Sequence, residues 1–186
     1  MKHIIIALFF ATFYSEIMAQ QKPPELDKSP MDISYWPQNY PIQKLNGKVK
    51  ETPIARVVYS RPQKSNRIIF NGIVKFKEMW RLGANEATEI EFLQAVKIAG
   101  KTIAKGKYTI FCIPDSSKWT IILNKDNFCW GNYSYNQKSD VLRTEIKVDQ
   151  NIDIVEAFTI YFEEYKGGSN LIFLWDNVKA SLPINL

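Results

Sequence analysis

The sequence predicts an all-β domain: a sandwich of two antiparallel sheets, jelly-roll-like, with eight or nine strands. Three observations carry this reading. From residue 54 onward apolar and polar side chains alternate with a period of two. Turn residues punctuate that alternation at short intervals. No stretch of eleven or more positions holds a 3.6-residue apolar period. Alternation places one face of each strand in a core and the other in water, and frequent turns let successive strands pair. A closed barrel has the same period and stands as the alternative. No repeat occurs at solenoid or propeller spacing.

The elements can be taken in chain order. Residues 20–34 (QQKPPELDKSPMDIS) are polar and proline-containing and form a leader. Residues 35–41 (YWPQNYP) set three aromatics between and beside prolines, an extended segment that covers an apolar groove or presents its rings. Residues 54–60 (IARVVYS) make a strand, broken by R-P-Q-K-S-N at 61–66. The best helical candidate, 74–82 (VKFKEMWRL), is short and stops at Gly83. In 88–92, Ile90 and Phe92 share one face while Glu89 and Glu91 share the other. Residues 96–98 and 102–104 flank Gly100-Lys101 as a hairpin, and Lys105-Gly106 turns again. Strands are expected at 107–113 and 119–124, joined by the turn at 114–117. Further strands fall at 141–148, 158–162, 171–175 and 179–184, with 171–175 apolar on both faces and therefore central. The chain divides into a signal peptide (1–19), the leader (20–34) and a single β domain (35–186).

The N-terminus sets the address. Lys2 supplies positive charge, residues 4–13 (IIIALFFATF) form an apolar core, and Ala19 is the small residue before Gln20. That is a secretory signal peptide, shorter than the roughly 20 apolar residues a membrane-spanning helix needs. The expected location is periplasmic or secreted, with no transmembrane segment after cleavage. Cleavage removes the only histidine, His3. Ser–His and Cys–His nucleophiles, histidine bases and the usual zinc sites are then excluded, so catalysis would rest on carboxylate, tyrosine, lysine or a carboxylate-bound metal. Lys2 and Glu16 leave together, so the formal charge stays at +5. Export and the lack of a basic run argue against nucleic acid as a partner.

Several landmarks occur together: S-P-M-D at 29–32, Y-S-R-P at 59–62, Ile69-Phe70, and W-R-L-G-A-N-E-A-T at 80–88. G-K-Y-T at 106–109, N-K-D at 124–126, W-G at 130–131 and S-D-V-L-R at 139–143 complete the set. With these the chain resembles an exported bacterial family, domain of unknown function 2911, over residues 29–184. The resemblance implies a compact exported β domain and brings no catalytic residues with it.

The stretch 80–88 is the richest in chemistry, since a core strand would leave so many polar groups without partners. One reading is a self-satisfied corner. Gly83 turns the chain, Glu86 pairs with Arg81, and Trp80 is buried beneath them. The other is a ligand cradle: Arg81 for a carboxylate, phosphate or sulfate, Asn85 and Glu86 for hydroxyls, Trp80 for a sugar or apolar face. Residues 124–135 (NKDNFCWGNYSY) form a second polar-aromatic loop, with Trp130, Tyr133 and Tyr135 as stacking candidates. Asn124, Asp126 and Asn127 lack the calcium-loop pattern, so no metal is expected. Arg61 and Arg67 mark a third cluster, an anion site or a set of surface pairs. Glu86, Glu89 and Glu91 are the carboxylates to test for glycosidase chemistry. Glu89 and Glu91 share a strand face at a spacing that suits such a pair and that a solvated charged face, the commoner case, also produces. Cys112 and Cys129 are an even pair in an oxidising compartment. A bridge between them would add about 3 kcal/mol, and two independent apolar thiols are the alternative.

The function expected from these residues is an exported binding or interaction module. Its expected ligand is a glycan or small polar anion held by Trp80, Arg81, Asn85 and Glu86 with Trp130 and Tyr135. It has no assigned catalytic residue and no cofactor. A carboxylate-dependent hydrolase of envelope carbohydrate, and a structural subunit docking on a partner protein, are the competing classes.

Overall fold

The computed structural model describes residues 22–186. The signal peptide, the cleavage site at Ala19 and His3 lie outside the described residues. Among the described residues eleven strands form one antiparallel sheet. The strands are β1 (Met31–Trp36), β2 (Ala55–Ser60), β3 (Glu89–Phe92), β4 (Val96–Ile98), β5 (Lys101–Ile103) and β6 (Gly106–Pro114). They continue with β7 (Lys118–Asn124), β8 (Asp140–Asp149), β9 (Val155–Tyr165), β10 (Gly168–Asp176) and β11 (Val178–Asn185). The pairing path runs β1-β2-β3-β6-β7-β8-β11-β10-β9, with the small β4–β5 hairpin joined to β11.

This corrects the expected two-sheet sandwich. The two ends of the path, β1 and β9, meet, and the sheet is nearly closed into a barrel. Ser34 Oγ on β1 donates to the Ile160 carbonyl of β9 at 2.7 Å. Beyond β2, Phe158 N donates to Pro62 O at 3.0 Å and Lys64 N to Glu156 O at 2.7 Å. Period-two alternation gives each strand one apolar face in either architecture, so closure is decided by which distant edges pair.

The inward faces make one core. Val57, Tyr59, Ile90, Phe92, Ile110, Cys112, Trp119, Ile121, Phe158, Ile160, Phe162, Leu171, Phe173 and Trp175 all point into it. The central strand expected at 171–175 is β10, flanked by β9 and β11. Large aromatic side chains fill the interior. Trp80 lies 5.1 Å from Phe158, 5.8 Å from Trp119 and 6.0 Å from Trp175, centroid to centroid. These geometries are the tilted, edge-on and offset ones that aromatic quadrupoles favour.

Three local expectations are revised. Residues 31–34, assigned to the leader, belong to β1, which pairs with β2 from Met31–Ser60 to Trp36–Ala55. The single α-helix among the described residues is α1 (Tyr40–Leu45), opened by Asn39 in the left-handed region (φ 54°) with proline in its first turn. The candidate helix at 74–82 is instead turns between isolated bridges at Val74 and Trp80. Positive φ at Lys77 and Leu82 rules out a continuous helix there.

The two thiols are free. Cys112 faces the barrel interior, whereas Cys129 joins Ala87, Phe111 and Ile122 in a second apolar cluster. Phe111 and Cys112 are neighbours on β6 and therefore point to opposite faces, so the sheet itself stands between the two sulfurs. The bridge considered from sequence is not formed, and burial pushes the Cys112 thiol well above its ordinary pKa.

Candidate functional site

The polar stretch 80–88 forms one rim of the barrel. Trp80 exchanges both backbone hydrogen bonds with Cys112 on β6, at 2.7 and 2.8 Å. Ile110 N then donates to Thr88 O at 2.8 Å. Between these two anchor points on β6, residues 81–87 bulge outward. The bulge is closed at its base by Thr88 N donating to Arg81 O at 3.1 Å and by the Thr88 hydroxyl donating to Leu82 O. Leu82 and Asn85 sit at φ 56° and 58°, and Gly83 at 146°. A Cβ on Gly83 would lie 2.6 Å from Ser60 Oγ. That hydroxyl donates to Ala84 O and accepts from Ala84 N, at 2.7 and 2.6 Å, so the glycine allows β2 to hold the bulge.

The second polar loop is tied to the first. Ala87 N donates to Cys129 O at 2.9 Å and Gly131 N to Asn85 O at 2.8 Å. The two loops are far apart in sequence, and the fold places them side by side.

The six expected ligand residues divide by what they touch. Trp80 is 7% exposed and belongs to the core, its indole N–H donating to Gly83 O at 3.2 Å. Tyr135 is committed to a network: its hydroxyl donates to Asp140 Oδ2 at 2.6 Å and accepts from Arg143 Nη2 at 2.8 Å. Its ring packs edge-on against Phe111. Burial first, then the Asp140 hydrogen bond, raises the Tyr135 pKa. Tyr135 therefore pins the loop to β6 and β8. The four others face open space. Asn85, Glu86 and Trp130 line a hollow of about 340 Å³ with Asp27, Ser29 and Met31. Arg81 lines an adjoining one of about 250 Å³.

The expected Arg81–Glu86 pair is not formed. Glu86 is exposed on one side of the bulge, and Arg81 lies half-buried on the other with Arg67, Trp175, Pro62 and Ser29. Among the described residues the other four arginines are engaged. Arg56 pairs with Glu91 at 2.6 Å, Arg61 with Asp32 at 2.9 Å, and Arg143 with Asp140 at 2.8 Å. Arg67 donates to the backbone carbonyls of Lys64 and Gln63. The Arg81 guanidinium alone has no hydrogen-bond partner there, backbone or side chain, and its Nε is buried. A buried donor without an acceptor costs about 1–3 kcal/mol, more when charged. An incoming acceptor would remove that cost.

Asp27, Ser29 and Trp175 were missed from sequence. Ser29 opens the S-P-M-D landmark, which was the available signal. Trp175 carried none, because its inward position on β10 reads as plain core.

Of the three carboxylates considered for hydrolysis, Glu86 is exposed in the hollow beside Trp130, and Glu89 and Glu91 are occupied. Glu89 pairs with Lys107 at 3.3 Å and accepts from Phe128 N at 2.7 Å, and Glu91 holds Arg56. Their neighbours Ile90 and Phe92 point inward, so both acids lie on the outer face of the sheet. Among the described residues no group of three or more His, Cys, Asp or Glu is placed to hold a metal ion. Nor is any helix there long and apolar enough to cross a membrane.

Residues 40–184 match the family described as protein of unknown function (DUF2911). The chain belongs to that family. The matched span takes in both rim loops, Arg67 and Trp175, and leaves out Asp27, Ser29 and β1. No curated protein and no solved structure matches the chain.

Proposed function

We propose that the protein is an exported binding module that takes a small oxyanion, a carboxylate, sulfate or phosphate, in the hollow around Arg81. The observation that carries this is the unpartnered guanidinium. Arg81 presents a planar fork of donors with no protein acceptor among the described residues, in a hollow of about 250 Å³ that also holds Arg67. Arg67 spends its Nε on Lys64 O at 3.0 Å and its Nη2 on Gln63 O, and its positive charge faces the same space. The indoles of Trp80 and Trp175 give the hollow a low-dielectric wall, which strengthens any charge-assisted hydrogen bond made there.

The test is calorimetric titration of the purified protein with sulfate, phosphate, acetate and glucuronate at low ionic strength. At least one is expected to bind, and Arg81→Leu is expected to abolish that binding with the fold intact. Arg81→Lys should restore it only in part, because a point charge does not reproduce the fork. Binding by none of the four, or equal binding by Arg81→Leu, would sink the proposal.

A further inference from the structure

The hollow around Arg81 and the hollow beside Trp130 are contiguous. They share Ser29, and their common wall is one bulge: Gly83 and Ala84 on the arginine side, Asn85 and Glu86 on the other. Their chemistry is opposite. One side holds Arg67 and Arg81 and the other holds Asp27 and Glu86. We infer that the two are subsites of a single groove for an acidic oligosaccharide. The acid group sits at Arg81 and the adjoining neutral sugar ring lies over Trp130. This rests on the anion reading above and names its ligand class.

Trp130 carries the second half of the argument. It is 60% exposed, although the loop around it is tied down by two backbone bonds to the bulge. Its ring is stacked on that of Tyr133 at 5.9 Å and 12° between planes, and Tyr133 is 81% exposed. A tryptophan and a tyrosine stacked on each other and exposed to water on an anchored loop are an unrelieved hydration cost, and they mark a surface made to be covered. A pyranose fits what surrounds them. Its C–H face stacks on an indole, while its equatorial hydroxyls meet acceptors and donors at the ring edge. Glu86, the Asn85 amide and the Ser29 hydroxyl supply these. Asn85 Nδ2 donates to Asp27 Oδ2 at 2.8 Å, which fixes the amide and leaves its oxygen to accept. Two carboxylates would repel an acidic ring here, so the ligand's charge is directed to the arginine end. The groove therefore has a polarity.

The test compares, on the purified protein, glucuronate, the neutral disaccharide cellobiose, and a panel of uronic-acid and sulfated oligosaccharides. Calorimetry and tryptophan fluorescence are the readouts. At least one acidic oligosaccharide is expected to bind about tenfold or more tightly than glucuronate, with cellobiose weaker than both. Trp130→Ala should remove that advantage and leave glucuronate affinity unchanged; its melting temperature, measured alongside, should stay near that of the unaltered protein. Glu86→Gln should weaken the oligosaccharide alone. If no acidic oligosaccharide exceeds glucuronate, or if Trp130→Ala leaves its advantage intact, the groove is overturned and the anion site stands. If glucuronate, sulfate, phosphate and acetate all fail to bind, the reading beneath it falls instead.

Discussion

Arg61 and Arg81 are the same side chain put to opposite uses. Arg61 stands at the seam where the sheet closes. Its Nη1 donates to Asp32 on β1 at 2.9 Å, its Nη2 to Thr159 on β9 at 2.8 Å, and its Nε to Phe158 O at 3.2 Å. One guanidinium thus ties both edges of the sheet to the segment after β2. Arg81 stands on the rim and, among the described residues, its side chain donates to nothing. A guanidinium has five donors. Where the fold supplies acceptors, the residue holds the structure; where it withholds them, the donors remain for something else. The same division separates Tyr135 from Trp130 within one loop, the first locked by Asp140 and Arg143, the second exposed.

Substitutions sharpen or break that comparison. The largest loss is expected at Trp80, which supports the rim from below. Trp80→Ala should cost roughly 3–5 kcal/mol, read as a fall in the denaturant midpoint, because it empties the centre of the aromatic core. Next is the seam. Arg61→Met should cost about 2 kcal/mol, reduced from the sum of its three bonds by partial exposure, and should leave glucuronate affinity unchanged. If Arg61→Met weakens binding as Arg81→Leu does, seam and rim are not separate.

Gly83→Ala comes third, at about 1–2 kcal/mol. Its new Cβ would press on Ser60 Oγ, and the bulge carrying Arg81 should lose anion affinity with it. Alkaline pH has a smaller effect. Burial, the foremost cause in each case, raises the pKa values of Tyr59 and Tyr135. Their unfolded counterparts ionise near 10, so the folded chain holds these protons longer than the unfolded one. The stability they add is complete below about pH 10 and is lost as pH rises through the raised folded values. Melting temperature followed from pH 8 to 11 should decline at the top of the range, and less so in Tyr135→Phe. The smallest loss is expected at the rim itself. Arg81→Leu should cost no stability, since no protein partner loses a bond and the unpaired buried Nε goes with the side chain. A loss as large as that of Arg61→Met would end the contrast.

Much of the strand content was legible, for a simple reason. In 88–92 and 141–148 the alternation of apolar and polar side chains is local, and a strand buried on one face writes it directly into consecutive residues. Residues 107–113 and 119–124 read instead as apolar runs between turns, buried on both faces. β1 was hidden because M-D-I-S comes after a proline-rich run and its inward contacts lie on β2 and β9. Helix α1 was hidden because six residues cannot display a 3.6-residue period. The site was half legible. The chemistry of 80–88 singled out Arg81, Asn85, Glu86 and Trp80 as a concentration of unusual groups. The direction each one points was not legible. Leu82, Gly83 and Asn85 each adopt a positive φ, and every such step reorients the next residues of the chain.

What the sequence by itself determined is an all-β chain, a family membership, and the presence of an arginine-bearing and an aromatic loop in one domain. These are properties of neighbours along the chain. Tertiary structure decided the rest: a nearly closed barrel in place of a sandwich, Cys112 and Cys129 on opposite sides of a sheet, and Arg61 spent at the seam while Arg81 stays unspent. It also put Asp27 and Ser29 of the leader beside Glu86 and Trp130. Each of these depends on which distant edges pair and which acceptors lie within about 3 Å of a donor. Residues far apart in sequence settle such questions, and no local pattern records them.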